Sequence, residues 1–128
     1  MTSATPTFDT RDLAGVLDAS SPEQLDMLDF GVIGFDAGTI VQRYNAYESQ
    51  AAGLTPERVI GEPMFANVAQ CLNNFMVAQR FEDAADEGSE LDDTIDYVLT
   101  LRMRPVKVKL RLLASANSGT RYVLVQRR

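Results

Sequence analysis

The stretch Ile95-Asp-Tyr97-Val-Leu99-Thr-Leu101-Arg-Met103-Arg-Pro105-Val106-Lys-Val108-Lys-Leu110-Arg-Leu112 alternates apolar and polar residues almost without interruption. Successive side chains of an extended chain point to opposite faces, so this period of two predicts two half-buried strands. Ile95, Tyr97, Leu99, Leu101 and Met103 line the inner face of the first, and Val106, Val108, Leu110 and Leu112 that of the second. Asp96, Thr100, Arg102 and Arg104, then Lys107, Lys109 and Arg111, face the other way. Pro105 has no N–H to give to a ladder and fits the connection or an edge.

Working outward, Tyr122 to Gln126 follows the turn Asn117-Ser-Gly119 and is apolar on both parities, which predicts a strand covered on both faces. Upstream, Phe30 to Phe35 and Thr39 to Arg43 flank Asp36-Ala-Gly38, a hairpin signal with glycine available for positive φ. Between the two strand groups, Asn45 to Ala52 reads as a short helix, and Thr55-Pro56-Glu57 carries the cap, first-turn proline and first-turn acid of another. Phe75 to Glu87 reads as a longer amphipathic helix with Phe75, Val77, Ala78 and Phe81 inward and Gly88 at its end. The expected architecture is α+β: a five-stranded antiparallel sheet with helices on one face. Residues 1–28 are expected to cap the other face, with Phe8, Leu13 and Leu17 packed over it, and 29–128 to form the core unit of a single domain.

The chain has 128 residues, enough for one core behind a sheet. It has one cysteine and no histidine, which excludes an internal disulfide, Cys-His and Ser-His nucleophile pairs and histidine-based metal sites. No apolar run has the length of a membrane span and the N-terminus lacks the pattern of a signal peptide, so a cytoplasmic protein without membrane contact is expected. The net charge of −6 hides an asymmetry: all eighteen Asp and Glu lie at or before Asp96, and eight of the twelve Lys and Arg follow Leu101. Acidic helices and basic strand faces balancing one another within the fold is the simplest reading; a basic patch for an acidic partner is the alternative. Nucleic acid is not an expected partner, because the whole chain repels phosphate.

The single cysteine, Cys71, closes the stretch Met64-Phe-Ala-Asn-Val-Ala-Gln-Cys71, and Tyr44 and Glu48 stand four residues apart in Tyr44-Asn-Ala-Tyr-Glu48. A thiol, a phenol and a carboxyl together can tether a small phenolic pigment and hold its phenolate end by hydrogen bonds. Positions four apart share a helix face, so Tyr44 and Glu48 can address one point. Taken alone, Cys71 also reads as a small buried hydrophobe, and the Tyr–Glu pair as an ordinary helix-terminal pair.

The chain resembles the photoactive yellow protein family, blue-light receptors with a PAS fold, from about Phe8 to Arg127. The residues that carry the resemblance are Phe30-Gly31, Gln42-Arg-Tyr44-Asn45-Ala46, Glu48, Val59-Ile60-Gly61, Phe65, Asn67-Val68-Ala69, Cys71, Met103, Pro105, Val106-Lys107-Val108-Lys109 and Val123 to Arg127. It implies p-coumaric acid bound as a thioester on Cys71, with Tyr44 and Glu48 each donating a hydrogen bond to the phenolate. Ile33, Ala46, Ala52, Leu54, Val68, Ala69, Gln70, Leu99, Leu101 and Met103 are the implied pocket. Glu48 donates only when protonated, and the resemblance implies that light isomerises the pigment and moves that proton to the phenolate. The carboxylate left behind is then an uncompensated buried charge, which costs several kcal/mol and makes partial opening a sufficient response.

The chain departs from the family at several of these positions. Ala52 replaces a threonine whose hydroxyl bonds the tyrosine, Leu54 replaces an arginine over the pigment ring, Gln70 replaces a proline, and Leu99 and Leu101 replace aromatic residues. No enzymatic turnover is expected. A separate, unidentified downstream signalling protein is the expected partner, with the chain a monomer or weak dimer. The rival readings are a PAS module binding a small ligand noncovalently and an interaction domain using the basic strand face.

Overall fold

The computed structural model describes residues 6–100, 105–115 and 119–127. Five strands, β1 (Gly31–Phe35), β2 (Val41–Tyr44), β3 (Leu91–Leu99), β4 (Val106–Ala114) and β5 (Arg121–Arg127), form one sheet in the order β2-β1-β5-β4-β3. Every neighbouring pair is antiparallel. Strand β5 lies between β1 and β4, which is why it is apolar on both parities: Tyr122 to Val125 are all buried. The β3–β4 register pairs Ile95 with Leu110, Tyr97 with Val108 and Leu99 with Val106, and Pro105 is exposed in the connection. The strand begins earlier than the alternation suggested, at Leu91, while Leu101 and Met103 fall outside the described residues.

The two faces of the sheet carry separate apolar clusters. Ile33, Phe35, Leu110, Leu112, Val123 and Val125 pack under α3 (Ala46–Ala52), α4 (Pro56–Val59), α5 (Ala78–Glu87) and the turns that join them. Val32, Leu113, Tyr122 and Leu124 pack against Phe8, Leu13, Leu17 and Leu25 of the N-terminal segment, which holds α1 (Leu13–Asp18) and α2 (Pro22–Asp26). The expected α+β architecture, helices on one face and a cap on the other, is the one observed. Ser21 starts α2 through a capping box with Gln24, satisfying two N–H groups at the helix start.

Three local expectations need correction. In the β1–β2 hairpin the positive φ falls on Thr39 (64°), because Asp36 Oδ1 accepts from Gly38 N and Ile40 N and fixes the turn one residue later. Phe75 is 84% exposed. The side chain of Asn74 accepts from the N–H groups of Met76 and Val77, so α5 starts at Ala78, with Val77 and Phe81 inward and Gly88 closing it at φ 64°.

The third correction is Arg111. Its parity assigns it to solvent, but the face it points to is the one covered by the N-terminal segment, and it is buried. There it pairs with Asp92 and donates to the carbonyls of Phe8 and Thr10. Arg43 does a related job on the same face, donating to the carbonyls of Leu17 and Ser20 and to the Tyr122 hydroxyl. Among the described residues, Arg80–Asp93, Arg111–Asp92 and Arg127–Glu48 join basic to acidic side chains, so at least part of the charge asymmetry is balanced inside the fold.

Candidate functional site

Tyr44 ends β2 and Glu48 lies one helical turn further on, in α3. The helix starts where it does because Asn45 caps it, accepting from Glu48 N at 3.2 Å. Asn45 is itself buried with its amide fully engaged: Oδ1 also accepts from Val32 N, and Nδ2 donates to the carbonyls of Leu25 and Phe30. One side chain thus locks α3 to β1 and to the N-terminal segment, and a second tie runs from Ala46 N to Asp26 Oδ1. Buried amides satisfied on every side fix a unique arrangement.

This lock presses Glu48 onto the sheet. The residue is 2% exposed, and a Cβ placed on Gly31 would come within 2.1 Å of its Oε1. Only a residue without a side chain lets the carboxylate lie against β1 here. Arg127, from β5, donates Nη1 to Oε1 at 2.7 Å and Nη2 to Oε2 at 3.0 Å. The sequence reading left this carboxylate without a partner, and the fold supplies one. The Tyr44 hydroxyl is within 3.5 Å of the Glu48 carbonyl, a long contact that leaves the phenol weakly committed. Burial pushes the Tyr44 phenol well above its ordinary range, the charge of Glu48 adds to this, and Arg127 opposes it, so Tyr44 stays a neutral donor.

Cys71 is half-buried in a single 3₁₀ turn, Gln70–Leu72, that follows a π-helical turn at Met64–Val68. Its carbonyl is gripped from two sides, by the Tyr97 hydroxyl at 2.5 Å and by Asn74 Nδ2 at 3.1 Å. Tyr97 and Cys71 pack against the same apolar cluster as Tyr44. That cluster gathers Ile33, Val68, Ala69 and Leu99 from three separate stretches of chain, and the half-buried Leu54 packs against it. Ala46 and Ala52 sit half-buried at the two ends of α3. Gln70 is exposed and turns back to donate to the Ala66 carbonyl, and Leu101 and Met103 lie outside the described residues.

Sequence reasoning did not single out Gly31, Asn74, Tyr97 or Arg127 for roles at this site. Tyr97 was legible as an inward-facing strand residue, and its parity is the signal that could have placed it near the cysteine. Arg127 shares the parity of the inward-facing Val123 and Val125, but no local signal names a partner 79 residues away.

Among the described residues, no group of histidine, cysteine or carboxylate side chains could hold a metal ion. No helix of the described residues is long and apolar enough to cross a membrane. No family model matches the chain. Photoactive yellow protein of Halochromatium salexigens is 32% identical over 120 residues, covering 94% of this chain and 95% of that protein. The same protein from Rhodothalassium salexigens is 28% identical over the same span. Among solved structures, the photoactive yellow protein domain of the sensor histidine kinase Ppr from Rhodospirillum centenum superposes with a TM-score of 0.81 at 34% identity, over 88% of this chain and 98% of that domain. The PAS domain of the Cronobacter turicensis RpfR quorum-sensing receptor, at 14% identity and a TM-score of 0.56 over 77% of this chain and 93% of that one, shares the fold. With one thiol against the core, a buried phenol and carboxylate beneath α3, and relatives matched over nearly the whole chain, the protein belongs to the photoactive yellow protein family.

Proposed function

We propose that the chain is a blue-light photoreceptor carrying p-coumaric acid as a thioester on Cys71. The observation that carries this reading is that the only thiol packs against the same apolar cluster as Tyr44, beside a buried Glu48. Those residues fit the group: an apolar lining for a ring, a phenol donor and a carboxyl for its oxygen, and a half-buried cysteine for its acyl end. When bound, the pigment supplies visible absorption and a double bond that light isomerises.

The protein's own residues do the rest. Cys71 Sγ, as thiolate, bonds to the carbonyl carbon of an activated coumaroyl compound; the bond to the activating group breaks, and that group leaves with the electron pair. Tyr97 and Asn74 fix the Cys71 carbonyl and so hold the tether in one orientation. Tyr44 donates to the phenol oxygen, and Glu48 exchanges a proton with it. Ile33, Val68, Ala69 and Leu99 exclude water, which strengthens both hydrogen bonds.

A change at Glu48 has a direct route to the cap. Asn45 accepts from Glu48 N and donates to the Leu25 carbonyl, so strain on α3 pulls on the N-terminal segment. That segment, with Phe8, Leu13 and Leu17, is the part that loosens to signal to a separate protein.

The test is reconstitution with p-coumaric anhydride, followed by mass and absorption before, during and after blue illumination. A mass gain absent from Cys71→Ala, with a visible band that bleaches in light and returns in darkness, is the expected result. Noncovalent uptake, or no uptake, sinks the reading and leaves a PAS module of another kind. A second result is expected at Ala52, one turn beyond Glu48 at the C-terminal end of α3. Ala52→Thr adds a hydroxyl that can support the Tyr44 phenol, concentrating charge on the pigment oxygen and shifting the visible band to the blue. An unchanged band maximum would show that Tyr44 needs no such support.

A further inference from the structure

In the Glu48–Arg127 pair the carboxylate is buried and the guanidinium half-buried, with side-chain exposures of 3% and 15%. Its two parallel N–H···O bonds are the strongest geometry available to an arginine and a carboxylate. Burial alone would pull the Arg127 pKa down, but the hydrogen bonds and charge of Glu48, with smaller contributions from Tyr47 and Tyr44, raise it above its ordinary value. A fixed positive charge therefore stands beside the carboxylate.

Under the reading above, Glu48 and the pigment's phenol share one proton. With the proton on Glu48 the negative charge sits on the phenol oxygen; with it on the phenol, the charge sits on Glu48. The proton count is the same, so the balance turns on where the charge lies relative to Arg127. The carboxylate oxygens are in contact with the guanidinium, and a phenol oxygen bonded to Glu48 is one hydrogen bond further away. Coulomb attraction falls with distance, so Arg127 favours charge on Glu48.

We propose that Arg127 is a positioning residue that sets where this proton rests: it biases the pair toward a Glu48 carboxylate facing a neutral phenol, and serves as the counter-ion that receives the carboxylate whenever Glu48 gives up a proton. The proposal rests on the photoreceptor reading for its optical part only. The carboxylate formed by proton transfer is then paired, and the opening of the cap is graded by Arg127 rather than driven by an orphaned charge.

The test compares native protein, Arg127→Gln and Arg127→Lys in two measurements. In reconstituted protein at fixed pH, Arg127→Gln is expected to raise the ratio of the visible phenolate band to the shorter-wavelength neutral-phenol band by about tenfold, the scale of one lost charge-assisted pair. Arg127→Lys, which keeps the charge, is expected to stay near the native ratio. In pigment-free protein, infrared spectra are expected to show a buried protonated-carboxyl band gained in Arg127→Gln and lost again when Glu48→Gln is added. An unchanged band ratio in a folded Arg127→Gln overturns the proposal, as does a Glu48 carboxyl band already present in native protein. Should Arg127→Gln not fold, the native infrared spectrum and Arg127→Lys decide the matter. Failure of every form to take up pigment overturns the photoreceptor reading, while the infrared measurement still decides Arg127.

Discussion

Arg111→Ala is expected to lower the unfolding free energy by about 2–4 kcal/mol and to release the N-terminal segment before the sheet melts. Arg111 is 7% exposed on the cap face of β4. Its Nη1 donates to the carbonyls of Phe8 at 2.9 Å and Thr10 at 2.7 Å, while Nε and Nη2 hold Asp92. Asp92 has a side-chain exposure of 54%, so solvent screens the ion pair and the carboxylate rehydrates when its partner is lost. Most of the cost therefore comes from two backbone acceptors left without donors under the cap, and from the packing lost with the long side chain.

Urea unfolding measures the total, and hydrogen exchange of amides 8–28 against those of β4 and β5 locates it. Uniform exchange in the variant would mean that apolar packing alone holds the cap. A pH dependence follows with a defined sign. The hydrogen bond from Arg111 holds the Asp92 carboxyl below its ordinary 3.8, so the pair stabilises the fold above that pH and the contribution fades as pH falls beneath it. The gap between native and variant stability is therefore expected to narrow on acidification below about pH 3.8.

Gly31→Ala is expected to cost about 1–3 kcal/mol through overpacking, although alanine ordinarily suits a strand better than glycine. The added Cβ would meet Glu48 Oε1 at 2.1 Å, with Glu48 Cδ and Cβ at 3.1 and 3.3 Å. Relief requires Glu48 to swing away, and that breaks its fork with Arg127. A double-mutant cycle with Glu48→Ala gives the decisive comparison, because neighbours in contact do not add. Truncation removes the contacts at 2.1 and 3.1 Å and leaves only the 3.3 Å approach to the residue 48 Cβ, so most of the cost of Gly31→Ala should disappear in that background. An equal cost in both backgrounds would mean that the strain lies elsewhere in β1.

What the sequence by itself determined is the set of elements with a strong local signal. The alternation from Ile95 to Leu112 specifies half-buried strands because a side-chain period of two permits only one face to the core. The apolar run at Tyr122 required cover on both faces and received it at the centre of the sheet. Cys71 stood out as the one thiol of the chain, and Tyr44 and Glu48 as a pair four residues apart that the family resemblance singled out. The tertiary structure alone decided which polar residues are buried. Arg111 carries the pattern of a solvent-facing strand residue and Arg127 lies beyond the apolar run of β5, and only the docking of the N-terminal segment and of α3 supplies their partners. Phe75 went the other way, exposed because Asn74 captured the backbone that a longer helix would have used. Periodicity records which residues share a face; the partner of a buried charge depends on which distant segment covers that face, and no local pattern encodes that.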